Sequence, residues 1–470
     1  MSFFYAEGSV VMEWFWKLNG VVNGIVWGPW MLAFLVGTGV WLTLVLRFPQ
    51  VRYFGMMFTE VLGNVRKKSS SAGTISSFAA MATALAATVG TGNIAGVATA
   101  LHLGGPGALI WMMISAVFGM TTKFSEVTLA VRYREECADG SHRGGTMYIL
   151  EKALGMKWLA VIFAIFTVFA SFGIGNMVQS NSTAEGIAMG FGIPPYITGI
   201  IIAVIVGLVI WGGLKRIATV TVYLVPFMAI FYIIGALGII ILHADAIPAA
   251  VANAFRGAFC DPMALPGAIA GWSVKAAITR GIARGVFSNE AGLGSAPMVH
   301  CAARTDHPVR QGLYGLFEVF MDTIIICNLT ALTILVTGVL TNSPDLTGAK
   351  LSLAAFSGVF GHGGVMILSL ALSLFALSTI LGWYWYAETA IVYLTNSTAL
   401  VTPFKILWMV LIVLGAWGGG TYLANLWDLS DTLNGLMAVP NLIGLVLLTK
   451  ELRRLVDDFD KKLKDGTLKR

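Results

Sequence analysis

Long apolar runs follow one another along almost the whole chain, separated by short polar, glycine-rich or proline-containing stretches. A membrane-spanning helix needs about 20 consecutive, mostly apolar residues. The pattern therefore predicts eleven spans, with "GGPG" (104–107), "GIPP" (192–195) and "WGGLKR" (211–216) as the clearest turns between them. The predicted spans are 24–46, 74–102, 107–131, 156–186, 193–212, 218–242, 266–300, 312–340, 363–392, 404–424 and 431–449.

Composition points the same way as the hydrophobic pattern. Of the 470 residues 57% are hydrophobic and only 11% are charged, whereas soluble domains carry about 25% charged residues. The mean hydropathy is +0.80. We therefore expect an all-α polytopic membrane protein, with residues 1–470 forming one integral domain in the lipid bilayer of the cell (inner) membrane.

Basic residues set the predicted orientation. They concentrate in the loops after the odd-numbered spans and in the tail 450–470, and such loops face the cytoplasm. This places the N-terminus outside and the C-terminus in the cytoplasm, which requires an odd number of spans. The net charge of +6 is thereby explained by topology, and no nucleic-acid partner is expected. The loop residues are Arg47, Arg52, Arg66, Lys67, Lys68, Arg134, Arg143, Lys152, Lys157, Lys215, Arg216, Arg304, Arg310 and Lys405, against Lys17, Arg256 and Lys350 on the opposite side.

Two of the predicted spans are interrupted by glycine and polar residues. Span 74–102 contains "ATVGTGNIAGVATA" (87–100), and span 266–300 contains "GIARGVFSNEAGLGSAP" (281–297), in which Gly281, Gly285, Gly292, Gly294 and Pro297 break the apolar segment. Both interruptions carry the pattern Asn-x-Ala-Gly, beginning at Asn93 and at Asn289. Glycines also allow neighbouring membrane helices to pack closely, so packing alone remains an alternative reading. Polar groups at mid-membrane are costly, which favours a functional reading.

The interrupted spans divide the chain into two blocks of five spans, 74–242 and 266–449, after an extra N-terminal helix at 24–46. Because five is odd, the two blocks cross the membrane in opposite senses. A broken helix at the same position in each block is typical of inverted-repeat secondary transporters. We therefore expect one N-terminal helix plus a 5+5 inverted-repeat core with two discontinuous helices.

Broken backbone within a membrane is tolerated only where it lines a cavity. Backbone N–H groups at the start of a half-helix can bind a carboxylate. Carbonyl and hydroxyl oxygens freed at a break are hard ligands, which suit an alkali cation. An amino acid together with Na⁺ would use both kinds of group.

The residues of the two breaks resemble a known family. "GTGNIAGVATAL" (90–101), "GGPGALIWMMISAVFGM" (104–120) and "RGVFSNEAGLGSAP" (284–297) resemble the sodium:alanine (alanine/glycine:cation) symporter family, and the resemblance covers nearly the whole chain. It implies a leucine-transporter-like fold and a symporter, not an enzyme. The expected activity is import of alanine, with glycine as a second substrate, coupled to Na⁺ by alternating access.

The resemblance also implies roles for individual residues. The backbone of Thr91, Gly92 and Asn93 is expected to face the substrate carboxylate, and Gly285, Phe287 and Ser288 are expected to line the substrate site. Gln179 in "SFGIGNMVQSNS" (171–182) and Trp383 in "LSTILGWYWYAE" (377–388) complete the site, although Asn181 and Trp385 could take their parts. The expected Na⁺ ligands are carbonyls near Ala86 and Val89 and the hydroxyls of Ser378 and Thr379.

Other charged residues lie within the predicted spans. Lys123 and Glu126 are three apart on one helix face and are expected to form a structural pair near the cytoplasm. Glu318 and Asp322 share a face, and we expect one of them to pair with a basic residue that precedes the second break. The candidates for this partner are Lys275, Arg280 and Arg284. The roles of these residues, and of Glu290 within the second break, stay open.

Alternatives to Na⁺–alanine symport remain. H⁺ coupling, or a broader neutral amino acid substrate such as serine or glutamine, is open because one methylene is worth only about 1–3 kcal/mol of discrimination. An ion channel is less favoured, since it would need a ring of filter residues. A membrane enzyme would need a nucleophile, base or metal cluster, and the spans offer none. The oligomeric state cannot be predicted.

Overall fold

The computed structural model describes residues 2–63, 71–265, 267–418 and 421–468. The basic residues Arg66, Lys67 and Lys68 and the predicted span boundary at 266 lie outside the described residues. Most of the described chain is helical.

The first half runs from the N-terminus to the end of the predicted first block. Its elements are α1 (Ser2–Val26), α2 (Pro29–Val45), α3 (Pro49–Arg52), α4 (Phe54–Gly63), β1 (Ile75–Ser76), α5 (Ser77–Thr88), a 3₁₀ turn (Thr91–Asn93), α6 (Ala95–Gly104), α7 (Ala108–Arg132), β2 (Glu135–Glu136), β3 (His142–Arg143), α8 (Thr146–Leu154), α9 (Lys157–Phe172), a π-helical segment (Gly173–Met177), α10 (Val178–Phe191), α11 (Pro195–Ile210) and α12 (Gly213–Leu242).

The second half repeats the alternation of long helices and short connections. Its elements are two 3₁₀ turns (Ala244–Ala246 and Pro262–Ala264) flanking α13 (Ile247–Phe259), then α14 (Val274–Asn289), α15 (Pro297–His300), β4 (Ala303–Arg304), α16 (Pro308–Val319), a π-helical segment (Phe320–Cys327), α17 (Asn328–Val336), α18 (Val339–Asn342), α19 (Gly348–Phe360), α20 (His362–Thr395), α21 (Val401–Trp417), α22 (Thr421–Leu447) and α23 (Thr449–Lys464).

Six helical stretches among the described residues are long and apolar enough to cross a membrane, or up to eight if each bent pair is one span. One bent pair joins α5 to the turn and helix that follow it, with a bend of 61°. Large apolar side chains on α11 and α12 point away from the protein, for example Leu208 and Ile234 at 63% and 66% exposure. The all-α membrane architecture is confirmed, whereas the count of eleven spans stays a prediction.

Two glycines assigned from sequence to the second break lie instead inside a regular helix. Gly281 and Gly285 belong to α14, and a Cβ on either would strike α7, at Ala108 and at Ser115 respectively. Their small size allows α7 and α14 to pack closely, which is the packing role of small residues in membranes. The interruption itself begins at Glu290, after the last residue of α14.

A short strand pair and the tail helix connect distant parts of the chain. β1 pairs in parallel with β4, with Ile75 opposite Ala303, so the start of α5 lies beside the segment that follows α15. The predicted tail forms α23, whose Phe459 is fully buried. Asp458 of α23 lies 3.2 Å from the His307 side chain at the start of α16. The tail is therefore packed against the bundle.

Candidate functional site

The first break arises because two side chains capture backbone donors that a continuous helix would use. In an α-helix each N–H donates to the carbonyl four residues earlier. Here the Gly90 N–H donates to Asn93 Oδ1 at 2.9 Å, and the Thr91 N–H donates to Gln179 Oε1 at 3.3 Å. The carbonyl of Ala86 consequently loses its helical donor, Gly90. The break thus presents a freed carbonyl oxygen inside the protein.

Hydroxyl groups of α20 approach this freed backbone. Ser378 Oγ and Thr379 Oγ1 lie 3.5 and 3.4 Å from the carbonyl oxygen of Val89, and Ala86 is one turn earlier on α5. Gly90 permits the approach, because a Cβ there would lie 2.5 Å from Thr379 Oγ1. Carbonyl and hydroxyl oxygens fit a hard monovalent cation. Among the described residues no cluster of His, Cys, Asp or Glu fits a metal ion.

The second break is stabilised by a carboxylate from α7. Gly292 and Gly294 adopt φ values of 97° and 80°, a left-handed conformation that glycine tolerates without strain. Their N–H groups donate to Glu126 Oε1 at 2.9 and 3.2 Å. Asn441 of α22 donates to the same oxygen at 2.6 Å. Glu126 therefore supplies the acceptor that the missing helical turn would have provided.

Asp322, in the π-helical segment after α16, joins the two breaks. Its Oδ1 accepts from Asn93 Nδ2 at 2.6 Å, and its Oδ2 accepts from Ser288 Oγ at 2.8 Å and from Thr323 Oγ1 at 2.7 Å. Asn289 donates to Thr323 Oγ1 at 3.0 Å. All of these residues are buried.

The partners expected for the buried acidic residues are wrong. Glu318 lies 3.9 Å from Lys123 and is hydrogen bonded to His300, and Glu126 binds the second break rather than pairing with Lys123. Asp322 binds Ser288 at the last turn of α14. The basic residues expected as its partners, Lys275, Arg280 and Arg284, lie on earlier turns of that helix. Within the described part of the chain, no ion pair joins Glu318 or Asp322 to any of these three residues.

A small cavity lies between the two breaks, with a volume of about 10 Å³. Six of the residues singled out from sequence line it: Gly92, Gln179, Phe287, Ser288, Trp383 and Thr379. Its other lining residues are Ala87, Thr88, Gly90, Ile174 and Glu290.

Three of the expected substrate residues do not line this cavity. Thr91 and Asn93 are fully buried behind it, and the Thr91 hydroxyl has no hydrogen-bond partner within the described part of the chain. Gly285 packs on Ser115 of α7. The residues of the first break that line the cavity are therefore the glycines Gly90 and Gly92.

The cavity distinguishes between the neighbouring residues that the sequence left open. Trp383 lines it and donates from Nε1 to Glu290 Oε1 at 2.9 Å, whereas Trp385 donates to the Met298 carbonyl at 3.0 Å. Gln179 lines it, whereas Asn181 donates to the Gly418 carbonyl at 2.8 Å. Glu290 and Ile174 were not predicted as lining residues. Glu290 was detectable as an acid inside an apolar segment, while Ile174 carries no signal in sequence.

Comparisons with known proteins agree with this architecture. A family model described as the sodium:alanine symporter family matches residues 12–470. The sodium/alanine symporter AgcS of Methanococcus maripaludis is 45% identical over 441 residues, which cover 93% of this chain and 95% of that protein. The probable sodium/glutamine symporter GlnT of Bacillus subtilis is 37% identical over 450 residues, covering 95% and 91%.

A solved structure confirms the expected fold class. MhsT in complex with L-phenylalanine aligns with a TM-score of 0.54 at 14% identity, over 82% of this chain and 98% of that one. At this identity the likeness shows only the fold, which is the leucine-transporter-like arrangement that the family resemblance implied. The family match and the extent of the relatives together establish that this chain belongs to the sodium:alanine symporter family and is a membrane transporter, not an enzyme.

Proposed function

We propose that the protein imports alanine, and with it glycine, by symport with Na⁺ through alternating access. The observation that carries this proposal is the cavity enclosed by both helix breaks, because backbone groups and polar side chains of both repeats meet there. Inverted-repeat transporters bind substrate at such a junction of discontinuous helices.

The first break offers groups for the substrate carboxylate. α6 begins at Ala95, directly after the break, so the positive end of its dipole points towards the cavity side. The Thr91 hydroxyl is buried without a partner among the described residues and can donate to a carboxylate oxygen. Gly92 lines the cavity with backbone alone, which lets a ligand approach closely. The carboxylate is therefore expected at the backbone of Thr91, Gly92 and Asn93, of which Gly92 lines the cavity.

The remaining lining residues can bind the ammonium group and the side chain of a small amino acid. The oxygens of Gln179, Ser288 and Glu290 are acceptors for an ammonium group, and Phe287 and Trp383 provide apolar surface for a methyl group. The volume of about 10 Å³ holds roughly one water molecule, so side chains must move to admit even alanine. This closed cavity favours small substrates over glutamine, and its need to open supports alternating access.

We place Na⁺ between the carbonyls of Ala86 and Val89 and the hydroxyls of Ser378 and Thr379. Thr379 both lines the substrate cavity and approaches the Val89 carbonyl, so it contacts both proposed sites. Two ligands that order the same side chain bind cooperatively, because the second does not repeat the ordering cost of the first. Shared use of Thr379 therefore provides a physical route to coupling.

The direction of transport follows from symport, because substrate moves together with Na⁺ down an inward Na⁺ gradient. The basic loops and tail favour a cytoplasmic C-terminus and an N-terminus outside. Competition for labelled alanine uptake into proteoliposomes, by unlabelled glycine, serine and glutamine with and without Na⁺, tests the substrate assignment. We expect glycine to compete strongly and glutamine weakly. Stronger competition by glutamine than by glycine would contradict the assignment.

A further inference from the structure

We propose that a second cavity, between α1, α6, α14 and α22, binds the amino acid zwitterion before it reaches the cavity between the breaks. In this outer cavity Arg284 binds the carboxylate and Asp431 binds the ammonium group. The identity of the ligand rests on the proposed function, while the site itself rests on the geometry of this cavity.

The outer cavity is separate from the one between the breaks and much larger. Its volume is about 230 Å³, and it is lined by residues of all four helices, including Asn23, Thr99, Arg284 and Asp431. This is more than twenty times the volume of the inner cavity, which leaves room for one small amino acid together with water. The cavity lies at the end of the bundle that the charge distribution places outside.

Two oppositely charged side chains in this cavity, Arg284 and Asp431, lie close enough to attract each other, yet each has a buried atom with no hydrogen-bond partner among the described residues. Arg284 Nη1 and Asp431 Oδ1 are inaccessible to solvent, and neither has a hydrogen-bond partner in the part of the chain that is described. Buried polar atoms are almost always paired, and each unpaired one needs an explanation. A zwitterion carries one acceptor group and one donor group, and it would satisfy both atoms at once. A second basic residue, Arg280, is exposed and also lines the cavity. Its positive charge attracts the carboxylate end of an approaching amino acid.

Arg284 is held in place at the boundary between the two cavities. Its guanidinium lies 4.6 Å from the ring centroid of Phe287, within the range of a cation–π contact. Phe287 lines both cavities, so the ring forms part of the wall between them. Gly96 makes room for this arrangement, because a Cβ there would lie 2.8 Å from Arg284 Cδ. A carboxylate bound by Arg284 would therefore lie beside the side chain that closes the inner cavity.

The end of the N-terminal helix α1, which precedes both repeats, and Trp27 directly after it complete the outer cavity and position Asp431. Trp27 Nε1 donates to the Asp431 carbonyl at 3.0 Å. Asn23 Nδ2 donates to the Asp428 carbonyl and to Thr432 Oγ1, both at 3.0 Å. These contacts hold α1 against the turn of α22 that carries Asp431. The inference thus assigns a role in ligand capture to a helix outside the repeats.

Equilibrium binding of labelled L-alanine to the full-length protein in nanodiscs tests the inference. The Asn93→Leu background disables the inner site, and Ser288→Ala serves as a second background should the first not fold. We expect residual, weaker binding that does not depend on Na⁺. Adding Asp431→Asn, which is nearly isosteric, or Arg284→Gln should weaken this binding at least tenfold. The matched control Arg256→Gln, an exposed basic residue on α13 at the same end of the bundle, should change it less than twofold.

The outcomes separate this inference from the proposed function. If the wild-type protein binds alanine but neither the Asn93→Leu nor the Ser288→Ala protein shows residual binding, the outer site is overturned. The proposed function would then remain intact. Wild-type protein that neither binds nor transports any neutral amino acid would overturn the proposed function. Propionate, which lacks the ammonium group, should compete at least tenfold less well than alanine for the residual binding. Equal competition would overturn the pairing of Asp431 with an ammonium group.

Discussion

The side-chain amides of Asn93 and Asn289 donate to adjacent residues of one helical segment, Asp322 at 2.6 Å and Thr323 at 3.0 Å. Each asparagine also accepts a backbone hydrogen bond within its own break. Asn93 Oδ1 accepts from the Gly90 N–H and Asn289 Oδ1 accepts from the Ala291 N–H, both at 2.9 Å. The repeated Asn-x-Ala-Gly pattern thus has the same structural use in both repeats. Both breaks are therefore hydrogen bonded to the same two adjacent residues.

Replacing Asp322 should reduce transport, because its side chain joins the two breaks. Asp322→Ala removes the acceptor that Asn93, Ser288 and Thr323 share, and a buried donor that loses its acceptor costs about 1–3 kcal/mol. We expect alanine uptake into proteoliposomes to fall at least tenfold, which corresponds to about 1.4 kcal/mol. The exposed acid Asp345, changed to Asn, is the matched control and should transport normally. Wild-type uptake by Asp322→Ala would show that the link between the breaks is dispensable.

Asn93→Leu should abolish alanine uptake while leaving a folded protein. The change removes both the acceptor of the Gly90 N–H and the donor to Asp322, and the backbone of the first break can no longer hold its shape. Uptake and thermal unfolding of the purified variant are the measurements. Asn253→Leu, at a half-buried position on α13, is the control. Normal uptake by Asn93→Leu would place the substrate site elsewhere.

The double change Ser378→Ala with Thr379→Val should raise the Na⁺ concentration needed for half-maximal uptake. Both hydroxyls approach the Val89 carbonyl, and the change removes two of the proposed oxygen ligands. Ser373→Ala, on the same helix, removes a hydroxyl that bonds only to its own helix, at the Ser369 carbonyl, and should leave the Na⁺ requirement unchanged. An unchanged requirement in the double variant would rule out this ion site.

Trp383→Phe should broaden the range of substrates. A smaller ring enlarges the cavity and removes the bond from Trp383 Nε1 to Glu290. We expect serine and glutamine to compete more effectively for alanine uptake, with a gain of severalfold because a methylene in a pocket is worth about 1–3 kcal/mol. Trp385→Phe does not alter the cavity lining and should keep the wild-type order of competitors. The same order in Trp383→Phe would show that Trp383 does not set substrate size.

The breaks and the cavity between them could be predicted because they disturb a strong local pattern. Glycine and polar residues such as Gly90, Asn93 and Ser288 stand out in an apolar helix, where they are expensive unless they line a cavity. The two repeats follow from the spacing of these interruptions. Residues such as Gln179 and Trp383 could be named only through the family resemblance.

The partners of buried charges could not be predicted, because they depend on how distant helices pack. Lys123 and Glu126 share a helix face, yet Glu126 binds the second break and Lys123 lies beside Glu318. Gly281 and Gly285 look like helix breakers in sequence, but close packing on α7 keeps them helical. Local spacing specifies which residues share a face and leaves open what that face contacts.

The most direct test of the central claim is uptake of labelled alanine into proteoliposomes under an imposed inward Na⁺ gradient. We predict accumulation above the external concentration, which collapses when the Na⁺ gradient is dissipated and does not occur when only a proton gradient is imposed. Uptake that ignores both gradients would contradict symport, and accumulation driven by the proton gradient alone would contradict coupling to Na⁺.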